Sequence, residues 1–245
     1  GTVGTQTAAM AMGGMPYSAV VETYDGSSWT ETTDFNSPRH SMGSSGITTA
    51  AIIYAGYASP GGNQAVAEEW DGSSWTEVGD VNTARQTPMS LGTTNTAALC
   101  VGGQPPPSGT AVSETWNGTS WTETGDLNTG RYEGGGTGTS TAGIVTHGYK
   151  GSRGTEVESW DGTSWTEITD VPTGKTQPGS SGTQTAALTF GGKTGPSTFV
   201  GTTETYDGSS WTEVADLSTS RAASKSTGAT NASALAIGGN TGPSA

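Results

Sequence analysis

The chain has 245 residues, of which Leu, Ile, Val and Phe make up about a tenth, and its formal net charge is −13. A chain this acidic lacks the positive surface that binding to nucleic acid or an anionic membrane requires. No apolar run approaches the roughly 18 residues of a spanning helix, so the sequence predicts no membrane insertion.

A motif of the form aromatic-Asp/Asn-Gly-Ser/Thr-Ser-Trp-Thr-Glu occurs five times and argues against the disorder that this composition alone would suggest. A period of this length is typical of repeat proteins, whose stacked units bury a core that no single unit could bury. Residues 1–245 are therefore predicted to form one domain of repeats of about 46 residues. The five Trp residues, at intervals of 46, 46, 44 and 46, are Trp29, Trp75, Trp121, Trp165 and Trp211.

Each unit predicts four short strands, which we call A to D in chain order. In the unit 131–170 they are a Gly/Thr-rich stretch, then 141–146, 157–160 and 164–168. Asp-Gly or Asn-Gly between C and D favours the positive φ angles of a tight hairpin, so C and D are predicted to be antiparallel neighbours. Repeated four-stranded meanders are typical of β-propeller blades, and the Trp rows are predicted to pack between blades.

The units also share an order of residues: a basic residue, a small-residue strand A, a strand B ending in Gly-Gly, then Tyr or Trp followed by Asp, then Trp. This order resembles the kelch-repeat family, although Ala55-Gly56 and His147-Gly148 replace the double Gly in two units. The Gly- and Thr-rich style is similar to kelch-like repeats of bacterial and bacteriophage surface proteins. The resemblance implies an all-β, kelch-like β-propeller.

Strands C and D occur five times, but both 1–14 and 226–239 match an A–B region, which gives six copies of B. We expect five blades of four antiparallel strands. A C-terminal strand A around 222–230 would complete the blade of residues 10–31, so that the ring closes by pairing of N- and C-terminal strands. The alternative is a piece of a larger propeller or repeat array, which the repetition of 194–198 at 241–245 favours. The chain begins at Gly1, which favours a processed form or part of a longer protein.

The meander places the B–C and D–A loops on one face, which we call the loop face. The distance from the end of B to the next aromatic of C varies from 10 to 14 residues, and variable loops on a rigid scaffold are where binding usually occurs. Eight of the nine Lys and Arg fall on this face. Five of them follow strand D, each five residues after an Asp: Arg39, Arg85, Arg131, Lys175 and Arg221. The candidate residues in the B–C loops are Tyr57, Lys150, Arg153 and Lys193.

The five basic residues after strand D have two interpretations. They could encircle the mouth of the central channel and bind a carboxylate, sulfate or phosphate, because guanidinium groups are suited to bidentate anion capture. Alternatively, each could form a salt bridge with the Asp, or a turn hydrogen bond, inside its own D–A loop. The kelch resemblance implies that arginines at this position contact acidic peptides.

Residues that carry chemistry are sparse. Nucleophilic triads, phosphate-binding Gly loops and Cys/His metal spacings are absent from the sequence, and we predict no cofactor or metal. A copper site would need two His and two Tyr, and the two histidines are His40 and His147. A recruited carboxylate pair stays open; His40, Tyr132 and Glu133 are the residues to test for turnover. Cys100 is predicted to be a small buried hydrophobe.

We therefore expect a non-enzymatic structural or binding propeller at the extracellular or virion surface. It would recognise a glycan or protein, or other virion or surface subunits, through the loop face. One alternative is a propeller enzyme acting on a polysaccharide. Another is an intracellular kelch adaptor that binds acidic peptides.

Overall fold

The structure, a computed structural model, describes residues 1–105, 108–223 and 225–242. Its regular elements in this part of the chain are β-strands, and the described residues contain no helix long and apolar enough to cross a membrane. The first two four-stranded sheets consist of β1 (Thr2–Thr5), β2 (Ala8–Gly14), β3 (Ser18–Tyr24) and β4 (Trp29–Thr32), and of β5 (Gly43–Ile47), β6 (Ala50–Tyr54), β9 (Ala67–Trp70) and β10 (Trp75–Val78). A short ribbon in the second B–C loop consists of β7 (Tyr57–Ala58) and β8 (Gly62–Asn63).

Three further four-stranded sheets follow in the chain. The third consists of β11 (Met89–Thr94), β12 (Ala97–Val101), β13 (Ser113–Trp116) and β14 (Trp121–Glu123). The fourth consists of β15 (Gly135–Gly138), β16 (Gly143–Thr146), β17 (Val157–Trp160) and β18 (Trp165–Ile168), and the fifth of β19 (Gly179–Gly182), β20 (Ala187–Phe190), β21 (Thr203–Tyr206) and β22 (Trp211–Val214). A last sheet has two strands, β23 (Lys225–Thr230) and β24 (Ser233–Ile237).

Neighbouring strands in every sheet are antiparallel, which confirms the predicted all-β propeller with five blades of four strands. The innermost strands contact one another in the order β1, β5, β11, β15, β19, β23 and back to β1. They enclose a channel of about 350 Å³. The ring therefore has six positions, of which the last holds the strand A and strand B of a blade.

The predicted closure, in which a C-terminal strand completes the first blade, is wrong. The N-terminal strand β1 pairs with β2 and is itself strand A of the first blade, whereas β23 pairs with β24. Both A–B regions counted in the sequence thus form separate hairpins. Each hairpin is local in sequence, so its pairing requires less loop-closure entropy than a pairing between the chain termini. The repeated motif at 241–245 extends beyond the described residues.

The small residues of strand A allow six strands to approach the axis. A Cβ built on Gly43 would lie 2.2 Å from a ring carbon of Tyr54, so a larger residue there does not fit. Hydroxyl groups link adjacent blades along the channel wall. The Ser44 hydroxyl accepts a hydrogen bond from the Thr2 N–H at 3.1 Å and donates one to the Thr2 carbonyl at 3.0 Å. The Thr2 hydroxyl in turn donates to the Ser226 carbonyl at 3.1 Å, between the first blade and the last sheet.

The hydrophobic core lies between the blades. In one such cluster Ile52 and Tyr54 of the second blade pack with Cys100, Trp116 and Trp121 of the third. The rings of Tyr54 and Trp121 meet edge to face at 4.7 Å between centroids. This confirms the predicted packing of the Trp rows and the burial of Cys100, which raises the pKa of its thiol to about 12.

The C–D hairpins turn as predicted. The glycine of each turn has a φ between 89° and 98°. In the second blade the Asp71 carboxylate accepts hydrogen bonds from the backbone N–H groups of Ser73 and Ser74 at 2.8 Å. The hydrogen bonds from Ser74 and Ser73 lower the pKa of Asp71 to about 2. These hairpins lie on the face opposite the loop face, so their repeated residues serve the scaffold.

Candidate functional site

Four of the five predicted ring residues lie inside the protein. Arg39, Arg85, Arg131 and Lys175 are all 0% exposed. Each forms an ion pair with the glutamate of strand C in the blade that it precedes. The pairs are Arg39–Glu68 at 2.6 Å, Arg85–Glu114, Arg131–Glu158 at 2.9 Å and Lys175–Glu204 at 2.9 Å.

The prediction of a cationic cup is therefore wrong for these four residues. The alternative is right about turn hydrogen bonds inside the D–A loop, since Arg39 donates to the Ser37 carbonyl at 2.8 Å and Arg85 to the Thr83 carbonyl at 3.1 Å. It is wrong about the salt bridge, because the partner is a glutamate of strand C and not the loop Asp. Two of the Asp side chains instead cap the start of strand C: the Asp126 carboxylate accepts a hydrogen bond from the Ser113 N–H at 3.3 Å, and Asp216 accepts one from the Thr203 N–H at 3.2 Å. The sequence pattern could not show this, because the ion pair joins residues 27 to 29 positions apart. A guanidinium with a buried carboxylate partner cannot also bind an anion in solvent.

In three blades an asparagine completes the pair. The Asn82 backbone N–H and side-chain amide each donate to the Glu114 carboxylate at 2.7 Å. In the fifth blade Pro172 holds the equivalent position and has no N–H to donate. There the Glu204 carboxylate meets Lys175 and, at 3.7 Å, the imidazole of His147. Burial is the largest cause that lowers the pKa of His147 to about 4. This histidine is thus a neutral group between two blades.

Arg221 is the fifth predicted ring residue and differs from the others. It is partly exposed and, among the described residues, has no salt-bridge partner. Its guanidinium nevertheless keeps the pose of Arg85. In both residues Nε donates to the carbonyl two residues earlier in the chain. In both, Nη1 donates to the carbonyl of the first Gly after strand B, at 3.1 Å for Arg221 and 3.0 Å for Arg85. In the part of the chain that the structure describes, the last sheet consists of β23 and β24 and has no strand C to supply the carboxylate.

The loop face carries a set of equivalent backbone pairs with different side chains. The residue after each basic residue forms a two-bond backbone bridge with the residue after the Gly-Gly position, with N···O distances of 2.7–3.3 Å. We call these the paired rim positions. They are His40 with Tyr57, Gln86 with Gln104, Tyr132 with Tyr149, Thr176 with Lys193, and Ala222 with Asn240. A constant backbone here presents aromatic, amide, hydroxyl and cationic groups.

Inside this set runs a second ring, which we call the inner rim. Its five residues have left-handed φ angles of 51–58° although none is glycine, a conformation that is uncommon and clusters at functional sites. From the second of the five onward in chain order, the backbone N–H of each donates to the carbonyl of the one before it, in four hydrogen bonds of 2.7–3.4 Å. The inner rim consists of Ser41, Thr87, Glu133, Gln177 and Ala223. It fixes the paired rim positions around the channel mouth.

Aromatic side chains are concentrated at two places on the rim. Tyr17, His40 and Tyr57 stack on one another, with ring centroids 5.4–6.4 Å apart and interplanar angles of 22–27°. Tyr17 is 40% exposed, so the cluster presents an open aromatic surface. The second place is the Tyr132–Tyr149 pair, with centroids 5.5 Å apart. We call the first group the aromatic cluster.

The predicted B–C loop residues do lie on this face, in three different blades. Tyr57 belongs to the aromatic cluster. Lys150 pairs with Glu156, and Arg153 bridges to Tyr149 within the same loop. Lys193 lies over the ring of Phe199, 4.7 Å from its centroid. The two lysines therefore have local partners for their ammonium groups, whereas the contact given for Arg153 is made by its backbone.

Each residue considered for catalysis has a different local environment. His40 belongs to the aromatic cluster, Tyr132 packs on Tyr149, and His147 is buried. Glu133, which follows Tyr132 in the chain, accepts a hydrogen bond from the Gln177 amide at 2.8 Å. Within the described residues, no three or more His, Cys, Asp or Glu side chains are grouped to hold a metal ion.

Most of the rim residues were not predicted from the sequence. Tyr17, Gln86, Gln104, Tyr149 and Gln177 were not among the predicted site residues. One signal could have found the paired rim positions: aligned between units, these positions differ in chemistry, while the basic residue or the Gly immediately before each of them repeats. The left-handed backbone of the inner rim has no comparable signal.

Comparisons with known proteins support the fold. No family model matches the chain, and no curated protein matches it. A solved structure described as "Structure of YjhT" superposes with a TM-score of 0.82 at 14% sequence identity. The match covers 98% of this chain and 89% of that chain. At this identity the likeness shows a shared propeller fold.

Proposed function

We propose that the chain is a non-enzymatic binding propeller that recognises a glycan through the paired rim positions. The observation that carries the proposal is the variation of these positions on a constant backbone: five bridges of the same geometry hold ten side chains of differing chemistry. Residues that only maintain a repeat are copied with it, as the hairpin Asp and the buried Arg–Glu pairs are. Selection for a ligand explains why these positions diverged.

The chemistry of the rim fits a sugar better than an anion. A sugar ring has an apolar C–H face, which packs on aromatic rings, and a hydroxyl edge, which needs donors and acceptors. The aromatic cluster and the Tyr132–Tyr149 pair supply the first, and Gln86, Gln104 and Asn240 supply the second. Because the four buried cations pair with glutamates, an acidic-peptide adaptor loses its main support. We keep a protein ligand as an outcome of the test.

We further infer that the repeats are of the kelch type and that the protein acts at a cell or virion surface. The order of basic residue, Gly-Gly, aromatic-Asp and Trp supports the first inference. The second rests on the style of the Gly/Thr-rich repeat and on the glycan ligand proposed here.

Glycan-array screening of the 245-residue protein, followed by calorimetric titration of the best ligand, tests the proposal. The variant Tyr17→Ala/Tyr57→Ala removes two rings of the aromatic cluster and should weaken binding at least about tenfold. Tyr149→Ala probes the second aromatic pair. Thr119→Ala, in an exposed hairpin turn on the opposite face, is the matched control and should bind normally.

The proposal is overturned if ligands bind equally well to the rim variants, or if the array is silent and only proteins are captured. Turnover of a bound polysaccharide that is lost in Glu133→Gln would favour an enzyme instead. All variants need unchanged unfolding midpoints, so that a loss of binding reports on the rim.

A further inference from the structure

The last sheet leaves one position of the ring partly empty. In the five complete blades strand B pairs with strand A on one side and strand C on the other, whereas β24 pairs with β23 alone among the described residues. Its outer edge therefore presents unpaired N–H and C=O groups, which can template another strand. Between β24 and the first blade lies a groove of about 400 Å³ whose walls include Glu22, Trp29, Leu235 and Ile237. We call this groove and the edge of β24 the open position.

Two side chains beside the open position, Arg221 and Leu217, lack contacts that the equivalent residues of the complete blades make. Arg221 holds its guanidinium as Arg85 does, with a carboxylate as the missing partner. Leu217 is equivalent to Val81, which is buried in one cluster with Trp121 of the following blade. Leu217 itself stays partly exposed.

The first blade shows the complementary half. Glu22 is equivalent to Glu114, which is 0% exposed and paired with an arginine, but Glu22 is exposed. Trp29 is 39% exposed, whereas Trp121 is 7% exposed. In a complete blade the residue that pairs with this glutamate follows strand D of the preceding blade. A single occupant would thus supply the missing contacts of Arg221, Leu217, Glu22 and Trp29.

We propose that the open position binds a β-hairpin of the same C–D type as the five in this chain. Its first strand would add to the edge of β24 and place a glutamate against Arg221. Its second strand would place a Trp against Leu217. The segment after it would cover Trp29 with an apolar residue and offer a basic residue to Glu22. Such a hairpin brings a glutamate to the unpaired cation, Arg221, and a basic residue to the unpaired anion, Glu22. A second copy of the whole chain does not offer these charges, because its own C–D hairpins are already packed in their blades.

A peptide of residues 111–131 contains every required group: Glu114, Trp121, Leu127 and Arg131. It should be titrated into the 245-residue protein by calorimetry, with hydrogen exchange of β24 and oxidative footprinting of Trp29, read by mass spectrometry, as site-specific measurements. The peptide should protect the β24 amides and slow the oxidation of the Trp29 side chain. Because isolated hairpins are marginally stable, a second form carries the same peptide tethered to the C-terminus, which raises its effective concentration.

Two pairs of variants identify the contacts. Arg221→Gln in the protein, or Glu114→Gln in the peptide, should each weaken binding about tenfold, and the two changes together should cost little more than one. Glu22→Arg should weaken binding of the normal peptide, and the peptide with Arg131→Glu should restore it. Arg153→Gln is the control, because this arginine lies in a loop of the fourth blade.

The inference is overturned if neither the free nor the tethered peptide protects β24, or if a scrambled peptide protects it equally. It is also overturned if sedimentation shows a dimer in which Trp29 is already covered without peptide, since a second copy would then be the occupant. Glycan binding at the loop face is independent of every one of these results.

Discussion

Trp121 and Trp29 hold the same place in the repeat and have different environments. Trp121 is 7% exposed against the preceding blade, whereas Trp29 is 39% exposed beside the open position. The same contrast separates Glu114, which is buried and paired, from Glu22, which is exposed. The repeat therefore fixes which residue stands at a position, and the neighbouring blade decides whether that residue stabilises the fold. We call the contacts between successive complete blades the closed junctions.

The largest effect should come from the ion pair of a closed junction. Arg85→Met leaves the Glu114 carboxylate buried without its partner and should lower the free energy of unfolding by about 3–5 kcal/mol. Arg221→Met, which leaves no buried carboxylate unpaired, should change it by less than about 0.5 kcal/mol. Equilibrium denaturation of both variants measures the difference.

The double variant Arg85→Met/Glu114→Leu sharpens this result. If the cost of the single variant is the unpaired charge, the double variant should recover most of the lost stability. Equal losses for Arg85→Met and Arg221→Met would contradict the contrast between the closed junctions and the open position.

The tryptophans should show the same contrast. Trp121→Ala removes a buried ring that contacts Tyr54 and should cost about 3–5 kcal/mol. Trp29→Ala should cost about 1–2 kcal/mol, because much of its ring is already in water. Thermal and denaturant unfolding of the two variants give both values. Comparable losses would mean that Trp29 is covered in solution.

His147 makes the stability of one closed junction depend on pH. Its pKa is about 4 in the folded protein, below the ordinary value of 6.5, so the unfolded chain binds the proton more tightly. The stability that the folded protein gains by keeping His147 neutral is complete above pH 6.5 and is lost as the pH falls towards 4, which lowers the free energy of unfolding by up to about 3 kcal/mol.

The control for this pH dependence is His147→Gly, which restores the residue found at this position in other units. Unfolding free energies of both proteins should be measured from pH 7 to 4. The difference between them should change steadily below pH 6.5. Parallel curves would assign the whole acid sensitivity to carboxylates.

The smallest effect should be the same at a closed junction and beside the open position. At the channel wall the hydroxyl links continue through the ring, so Ser44→Ala and Thr2→Val should each cost about 1 kcal/mol. Equilibrium denaturation of both variants tests whether the hydroxyl link between the first two blades and the link between the first blade and the last sheet contribute equally to the free energy of unfolding. A loss confined to Ser44→Ala would show that the first blade and the last sheet separate in solution.

Local features of the scaffold could be predicted from the sequence. In the unit 131–170, strand C was predicted at 157–160 and is observed at Val157–Trp160, and strand B, predicted at 141–146, is observed at Gly143–Thr146. The Asp-Gly turns and the Trp packing were also predicted correctly. These features depend on residues close in sequence or on a spacing that each unit repeats, so one unit informs the others.

The candidate site could not be predicted in the same way. The spacing of Arg39 and its equivalents on the loop face suggested an exposed ring, but their direction depends on a glutamate from strand C almost thirty residues later. Burying a charge is favourable only with such a partner, and the sequence does not show which acidic residue is within reach. The rim had a signal in its variation between units, but its geometry comes from backbone bridges between loops and from the left-handed residues of the inner rim.

The sequence by itself determined the repeat, the four strands of each blade and the face on which the loops meet, because these follow from periodicity and turn chemistry. The tertiary structure alone decided that the ring has six positions, that the basic residues point inward and that one position is open. Those outcomes depend on which blade stands beside which, and burial and ion pairing are properties of that neighbour rather than of the residue.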